Sequence, residues 1–152
     1  TSELGMIAAL DGSQTGDIKT TKWIVKGAEF PFSPPVSDGT RIYQIDGGSK
    51  LKAFDIENGR ELWEETLGTA QKAPPALADG KIYVGTDNGK FLIIRPSASG
   101  AQILSSVELP LSKNSCCGSE GTTEQIVAGP AISRGASVLI SKMSWCGGPP
   151  TR

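Results

Sequence analysis

The stretch AFDIENGRELW, residues 53–63, decides the fold of this chain. Ala53 leads into Asp55, Gly59 follows four residues after the aspartate, and Trp63 follows four residues after the glycine. An aspartate followed by a glycine is typical of a tight turn, because the carboxylate accepts local backbone hydrogen bonds and glycine adopts positive φ. The stretch therefore predicts a strand, a turn and a second strand that carries the tryptophan.

Most of this pattern returns along the chain at a fixed spacing. Residues 34–54 (PPVSDGTRIYQIDGGSKLKAF) match residues 74–94 (PPALADGKIYVGTDNGKFLII) over two strands and both turns. A looser copy of the turn motif occupies residues 8–23, and residues 128–142 repeat only the first half of a unit. Repeat units of about 40 residues with four short strands each predict a β-propeller, whose blades stack because none can bury its faces alone.

Strand signals are plentiful, and no stretch shows a sustained helical pattern. Six short runs are rich in β-branched and aromatic residues and are bounded by turn residues: GMIAAL (5–10), RIYQI (41–45), KLKAF (50–54), KIYVG (81–85), KFLII (90–94) and SVLIS (137–141). Asn88-Gly89 predicts a type I′ hairpin turn, because both residue types tolerate the left-handed region. Gly47-Gly48 stands in the same place one unit earlier. We therefore expect an all-β fold.

Tryptophans are expected to seal the contacts between blades. Trp23 and Trp63 stand one repeat unit apart, each on a predicted outer strand. A buried indole ring covers up to about 200 Å². We expect each ring to wedge against the next blade.

The 152 residues amount to about three blades. We predict one propeller segment in which residues 1–30 form half a blade, residues 31–68 and 69–110 form two whole blades, and residues 111–152 hold an insert and another half blade. Propellers close with about 4–8 blades. We therefore expect this partial propeller to be completed by the remainder of a longer propeller, by a second copy of the chain, or by another protein that caps it.

Composition and charge exclude several classes of function. Fifteen basic residues against 16 acidic ones leave a net charge of −1, so a nucleic acid is not an expected partner. No apolar run approaches the roughly 20 residues of a transmembrane helix, so we predict no membrane span in this chain. Histidine is absent, which removes the commonest general base and the usual serine and cysteine triads but leaves carboxylate chemistry and calcium sites open.

The turn motif resembles the PQQ-like repeat, which occurs in quinoprotein alcohol dehydrogenases and in BamB-like propellers. The motif AxDxxxGxxxW is filled here by Ala53, Asp55, Gly59 and Trp63. The resemblance covers residues 5–105 well and residues 128–142 in part. It implies the propeller fold strongly and a function only weakly, because propellers host unrelated activities.

Three cysteines are the first candidates for chemistry. Quinoprotein alcohol dehydrogenases carry a vicinal disulfide over the quinone, so the resemblance offers Cys116 and Cys117 as cofactor contacts beside PQQ and calcium. The alternatives are a structural disulfide from either residue to Cys146, or free thiols. The flanking GSEGTTEQ does not match the family's motif, and no set of calcium ligands with a catalytic aspartate is recognised, which argues against a dehydrogenase.

The segment DGSQTGD is the second candidate. Its oxygen-bearing side chains alternate as in a calcium loop: Asp11, Ser13, Thr15 and Asp17. The bidentate glutamate that such a loop needs downstream is missing, and aspartate, glycine and serine are ordinary turn residues. We therefore expect an elongated hairpin turn and no metal site.

Charged residues around the turn motif are the third candidate: Glu57, Arg60, Glu61, Glu64 and Glu65. We interpret them as a solvated blade rim, with a contact surface for a partner as the alternative. Glu64 and Glu65 are adjacent on a strand and point to opposite faces, so they are poor candidates for a shared acid–base site.

These patterns together favour a non-catalytic role without a cofactor. We expect a scaffold or protein-binding module of an exported protein, in a periplasmic, luminal or extracellular compartment, where PQQ-like propellers mostly occur and disulfides persist. The alternative is part of a PQQ- and calcium-dependent quinoprotein that oxidises an alcohol or an aldose. A luminal or periplasmic sensor domain is a third class.

Overall fold

Twelve strands and no helix make up the part of the chain that the structure, a computed structural model, describes: residues 5–28, 33–111, 123–133 and 136–138. The strands are β1 Gly5–Leu10, β2 Thr21–Ala28, β3 Val36–Ser37, β4 Arg41–Ile45, β5 Lys50–Asp55, β6 Glu61–Thr66, β7 Ala76–Ala78, β8 Lys81–Gly85, β9 Lys90–Pro96, β10 Ala101–Glu108, β11 Ala131–Ser133 and β12 Ala136–Val138. Within these ranges no helix could cross a bilayer. The predicted all-β fold class is confirmed.

The strands form two four-stranded sheets flanked by two hairpins. Blade 1 contains β3–β6 and blade 2 contains β7–β10, each antiparallel with its strands in chain order. The N-terminal hairpin pairs β1 with β2, and the C-terminal hairpin pairs β11 with β12. This succession of small antiparallel sheets is an open segment of a β-propeller, as the repeats predict.

The two blades share the same register in their outer strands. In blade 1 Ala53 pairs with Trp63, and a β-bulge follows toward the turn. In blade 2 Ile93 pairs with Ser105, with a bulge at the same level. Because Ala53 and Ile93 occupy the same place in successive repeat units, Ser105 takes in blade 2 the position that Trp63 takes in blade 1.

The largest core cluster joins the two blades. Its buried residues are Tyr43, Ile45, Leu51, Ala53 and Trp63 from blade 1, and Ile82, Val84, Leu92 and Ile94 from blade 2. Strands β8 and β9 are buried on both faces, because each blade lies between two neighbours. We call this contact seam 2, and the contact between the N-terminal hairpin and blade 1 seam 1.

The turn between β8 and β9 differs from the predicted type I′ turn. Gly89 has φ 75°, whereas Asn88 stays outside the left-handed region. The Gly89 N–H donates to the Thr86 carbonyl at 3.2 Å, which with these φ values makes a type I turn followed by a glycine bulge. The Thr86 hydroxyl accepts from the Lys90 N–H at 2.9 Å and lies 2.7 Å from Asn88 Oδ1, and these side-chain contacts hold the alternative turn.

A type I′ turn does occur, but between β7 and β8. There Asp79 and Gly80 both have positive φ, 49° and 65°. In the β4–β5 turn of blade 1 the left-handed residue is Ser49, with φ 66°, and not the glycine pair before it. Ser49 and Gly89 stand one repeat unit apart, so the repeat keeps the backbone conformation while the residue type changes.

Candidate functional site

Trp23 joins the N-terminal hairpin to blade 1. Its indole Nε1 donates to the Ile56 carbonyl at 2.9 Å, and the side chain is 9% exposed. The ring lies against Gly59, where a Cβ would come within 2.5 Å of Trp23 Cε3. Gly59 also has φ 73°, so the close approach and the backbone conformation both require glycine.

Trp63 makes the same kind of contact one blade later. Its Nε1 donates to the Ser97 carbonyl at 3.0 Å, and its ring centroid lies 6.0 Å from that of Tyr43. A Cβ at Gly100, the glycine of this second turn, would meet no other heavy atom within 4 Å. Each tryptophan therefore donates a hydrogen bond to a turn carbonyl of the next blade. Of the two, only Trp23 packs directly on a glycine.

Asp55 shapes the turn that receives Trp23. Its Oδ1 accepts hydrogen bonds from the backbone N–H groups of Glu57, at 2.9 Å, and Asn58, at 3.2 Å. Ala53, two residues earlier, is fully buried in seam 2. The turn motif therefore contributes to both seams, with Asp55 and Gly59 at seam 1 and Ala53 and Trp63 at seam 2.

A carboxylate network lies at the start of blade 1, where the sequence pattern indicates only a turn. Asp38 Oδ1 accepts from the N–H groups of Thr40 and Arg41 at 2.8 and 2.7 Å, and Asp38 Oδ2 accepts from the Tyr43 hydroxyl at 2.7 Å. Burial raises the pKa of Asp38, but the hydrogen bonds from Tyr43, Thr40 and Arg41 outweigh it and hold that pKa well below its ordinary value. Burial also raises the pKa of Tyr43.

Seam 1 carries a group of charges on blade 1. Lys52 Nζ lies 3.4 Å from Glu61 Oε2, 3.5 Å from Glu64 Oε2 and 3.7 Å from Asp46 Oδ2, and the Lys52 side chain is 15% exposed. Lys50 Nζ makes a closer contact with Glu64 Oε1, at 2.6 Å. Burial lowers the pKa of Lys52, but attraction to Glu61 and the other carboxylates raises it more. The hydrogen bond from Lys50 lowers the pKa of Glu64.

The same positions in blade 2 are aliphatic. In blade 1 Gln44 pairs with Lys52, and in blade 2, one repeat unit later, Val84 pairs with Leu92. Both Val84 and Leu92 belong to the core cluster of seam 2. Seam 1 is therefore polar where seam 2 is apolar, although the backbone register is the same.

A cleft of about 400 Å³ opens at this polar seam. It is lined by Val25, Lys26 and Gly27 of the N-terminal hairpin and by Asp46, Gly48, Lys50, Lys52, Phe54 and Glu61 of blade 1. Among the described residues the lining contains three lysines and two acidic residues, and Glu64, which contacts Lys50 and Lys52, supplies a third carboxylate that balances them. The cleft is the candidate binding site of the described chain.

The turn DGSQTGD is shaped by local hydrogen bonds to Asp11. Asp11 Oδ1 accepts from the Ser13 N–H at 3.0 Å and the Ser13 hydroxyl at 2.8 Å, and these bonds lower the pKa of Asp11. Thr15 and Asp17 are exposed. Among the described residues no group of three or more His, Cys, Asp or Glu side chains is placed to hold a metal ion.

The candidate cysteines lie outside the described residues. This applies to Cys116, Cys117 and Cys146 alike, so the disulfide and the cofactor contact both stay predictions. The absence of a cofactor also stays a prediction.

Stacked four-stranded sheets with a tryptophan at each described seam define this chain as a β-propeller segment built from PQQ-like repeats. The family model for outer membrane protein assembly factor BamB matches residues 2–114. This match covers most of the chain, and the chain therefore belongs to that family.

Individual proteins similar to this chain support its assignment to the BamB family. Outer membrane protein assembly factor BamB of Bordetella pertussis (strain Tohama I) is 28% identical over 111 residues, which are 70% of this chain and 28% of that protein. The crystal structure of BamB from Moraxella catarrhalis has a TM-score of 0.70 at 18% identity, over 90% of this chain and 41% of that chain. The present chain thus spans well under half the length of either relative.

A dehydrogenase shares the fold as well. A quinohemoprotein alcohol dehydrogenase from Pseudomonas putida HK5 has a TM-score of 0.57 at 21% identity, over 72% of this chain and 16% of that chain. At this identity the likeness shows the propeller fold alone.

Proposed function

We propose that this chain is a non-catalytic scaffold segment that binds other proteins during the assembly of outer membrane proteins. The observation that carries the proposal is the match of residues 2–114 with the family of an outer membrane protein assembly factor. In this proposal the protein works outside the cytoplasm, on the periplasmic side of the outer membrane. The partner is a protein, and no cofactor takes part.

The rigid packing of the blades supports a scaffold role. Trp23 and Trp63 each tie a strand to the turn of the next sheet, 33 and 34 residues further along the chain. Contacts of this kind fix the relative orientation of neighbouring sheets, because each indole is both packed and hydrogen-bonded. The turns at the blade ends are therefore held in place before any partner binds.

Exposed apolar side chains on the N-terminal hairpin and on β10, the edge strand of blade 2, support the need for further protein. Strand β10 exposes Ile103, Leu104 and Val107, and the N-terminal hairpin exposes Met6, Leu10 and Ile24. Apolar surface of this kind on a soluble protein is normally covered by other protein. We propose that the remainder of the propeller covers both.

Deletion of the gene in its native host tests the assembly role. We expect smaller amounts of folded outer membrane proteins, measured by their gel mobility with and without heating, and recovery when the gene is returned. The amount of a soluble periplasmic enzyme serves as the control and should not change. Undiminished levels of folded outer membrane proteins would contradict the proposal.

The non-catalytic part of the proposal has its own test. The purified protein is incubated with PQQ and calcium, and the reduction of an electron-accepting dye is followed with alcohols and aldoses as substrates. We expect no reduction above that given by free PQQ. Substrate-dependent dye reduction would instead favour a quinoprotein dehydrogenase.

A further inference from the structure

An asparagine precedes a glycine at two turns of the described chain, Asn58-Gly59 in blade 1 and Asn88-Gly89 in blade 2. Glycine has no Cβ to obstruct an approach, so its backbone nitrogen reaches the side-chain amide of the preceding asparagine more easily than that of any other residue. Attack by this nitrogen forms a cyclic succinimide, the usual route by which an asparagine loses its amide nitrogen. Both turns are therefore sites at which this reaction has to be considered.

The backbone and the exposure of the two sites are alike. The side chains of Asn58 and Asn88 are both exposed, and both glycines are buried. Gly59 has φ 73° and Gly89 has φ 75°. The N–H of each glycine donates to a carbonyl of its own turn, at 2.9 Å in blade 1 and at 3.2 Å in blade 2. This bond slows the attack at both sites, so the asparagine side chains distinguish them.

The Asn88 side chain is held at both of its polar atoms. Its Nδ2 donates to the Thr69 hydroxyl at 3.2 Å, and its Oδ1 lies 2.7 Å from the Thr86 hydroxyl. Succinimide formation requires the side chain to turn onto the glycine nitrogen and to release Nδ2 as ammonia. Because these movements break the contacts with Thr69 and Thr86, the site in blade 2 is protected.

The Asn58 side chain leaves its amide nitrogen free to depart. Its Oδ1 accepts from the Arg60 N–H at 2.9 Å, whereas its Nδ2 has no hydrogen-bond partner within the described ranges. Negative charge develops on Oδ1 when the glycine nitrogen adds to Cγ, and a hydrogen bond already directed at that oxygen stabilises the charge. The contact that shapes this turn therefore also assists the reaction.

We infer that Asn58 is a site of spontaneous deamidation, a modification that lies beyond the proposed function, and that Asn88 is protected from it. The Gly59 nitrogen forms a bond to Asn58 Cγ, the Cγ–Nδ2 bond breaks, and ammonia leaves with the proton of the glycine nitrogen. Water then opens the succinimide. Hydrolysis of its Cγ–N bond gives aspartate, and hydrolysis of its backbone C–N bond gives isoaspartate, in which the chain runs through Cγ. The net reaction consumes one water and releases one ammonia.

Isoaspartate at position 58 acts on seam 1. It adds one methylene to the backbone directly before Gly59, the residue against which the Trp23 ring packs without room for a Cβ. The longer backbone displaces Gly59 relative to the ring, so the contact between the N-terminal hairpin and blade 1 weakens. Aspartate at position 58 keeps the normal backbone, and its carboxylate still accepts from the Arg60 N–H. Only the isoaspartate product therefore loosens the seam.

Ageing of the purified whole protein at mildly alkaline pH tests the inference. Peptide mapping by mass spectrometry measures deamidation at each site, and an isoaspartate-specific methyltransferase detects the isoaspartate. We expect Asn58 to react about ten-fold faster than Asn88, the ratio given by breaking two side-chain hydrogen bonds. In protein unfolded by urea the two sites should react at similar rates. Thr69→Ala removes a contact of Asn88 alone, so it should speed deamidation at Asn88 and leave Asn58 unchanged.

Two variants at position 58 connect the modification with seam 1. Asn58→Asp reproduces the aspartate product and should keep the denaturation midpoint, whereas aged protein that contains isoaspartate should unfold at a lower denaturant concentration. Asn58→Gln cyclises far more slowly and should keep its midpoint on ageing. Equal rates at the two sites of the folded protein, an Asn88 no faster in Thr69→Ala, or an unchanged midpoint in isoaspartate-containing protein would overturn the inference. The levels of folded outer membrane proteins test the assembly role separately.

Discussion

Gly59 is the residue on which the packing of Trp23 depends most directly. A Cβ at this position would lie 2.5 and 2.6 Å from two atoms of the indole ring. The glycine also holds φ 73°. At position 59 the steric clash with Trp23 and the backbone strain therefore both destabilise a residue with a Cβ. Substitutions at other glycines can separate these two effects.

Gly59→Ala should lower the free energy of unfolding by about 3 kcal/mol or more, because the methyl group collides with Trp23 and the backbone is strained. Chemical denaturation measures the change. Gly68→Ala isolates the backbone cost, since Gly68 has φ 76° and open space around it, and should lose about 1 kcal/mol. Gly100→Ala, at the corresponding turn of blade 2, should be nearly neutral. Equal losses in Gly59→Ala and Gly68→Ala would show that the Trp23 contact is not formed.

Ser49→Gly should stabilise the protein by about 0.5–1 kcal/mol, because a serine with φ 66° is strained and glycine is not. Gly89 already occupies the corresponding position in blade 2. Ser99→Gly is the control, since Ser99 lies in a turn without positive φ and should gain nothing. A loss of stability in Ser49→Gly, measured by thermal unfolding, would be incompatible with the left-handed conformation at this residue.

Asp38 should make stability depend on pH in the acid range. Its pKa is lowered in the folded state, so its contribution is present above the ordinary carboxyl pKa of about 4 and is lost as pH falls toward the folded value. Asp38→Asn should cost about 1–3 kcal/mol at pH 7 and less near pH 2.5, measured by urea unfolding. Tyr43→Phe removes one of the hydrogen bonds to Asp38. Its cost should therefore also decrease as the pH falls, but by less than the cost of Asp38→Asn. A cost for Asp38→Asn that grows as the pH falls would contradict the network.

The two seams show which side-chain contacts between sheets the sequence predicts and which it does not. The repeat predicts that tryptophans on β2 and β6 wedge against the next blade, and both indoles donate to a turn carbonyl there. It does not predict the charged cluster of seam 1, because Glu61 and Glu64 have the pattern of rim residues. A signal is nevertheless present: Lys50 and Lys52 alternate on β5, and Glu64 stands opposite Lys52 on β6. Alternating opposite charges on paired strands indicate cross-strand ion pairs.

Turn conformation is less predictable than strand position. The strands β1, β4 and β8 begin and end at the predicted residues. The sequence Asn88-Gly89 favours a type I′ turn by itself, but contacts of the Thr86 side chain select another turn type. The turn preferences of asparagine and glycine do not take into account hydrogen bonds from neighbouring side chains, which can favour another turn type.

The segment after the insert is attached to blade 2 by Ile126. This side chain is fully buried beside Ala73, Tyr83 and Phe91, and its N–H donates to the Thr86 carbonyl at 3.2 Å. A Cβ at Gly85 would collide with it, so a glycine makes room for the isoleucine. No repeat pattern predicts this contact, because the insert has no counterpart between blades 1 and 2.

Ile126→Ala should therefore cost about 2–5 kcal/mol through the cavity that it leaves. Hydrogen exchange should also become faster at the Ile126 amide, which is bonded to the turn of blade 2. Leu111→Ala is the control, because Leu111 is 55% exposed and should change stability by less than about 0.5 kcal/mol. A neutral Ile126→Ala would mean that the segment is not packed on blade 2.

The molecule as a whole is an open stack of sheets in the BamB family, and the repeat predicts this architecture well. A constant repeat length fixes which strands belong to one sheet, since each whole unit supplies four of them. It does not fix what fills the space between sheets, because positions such as Lys52 and Leu92 share a register and differ in chemistry. The function is proposed from family membership.

The central claim is that a tryptophan packs the N-terminal hairpin against blade 1, and another packs blade 1 against blade 2. The most direct test is a nuclear Overhauser measurement on the indole protons of Trp23 in the whole protein. We predict cross-peaks from the Trp23 ring to the α protons of Gly59, which lies in a turn of a different sheet and far away in sequence. Cross-peaks from this ring only to residues of its own hairpin would contradict the stacked arrangement.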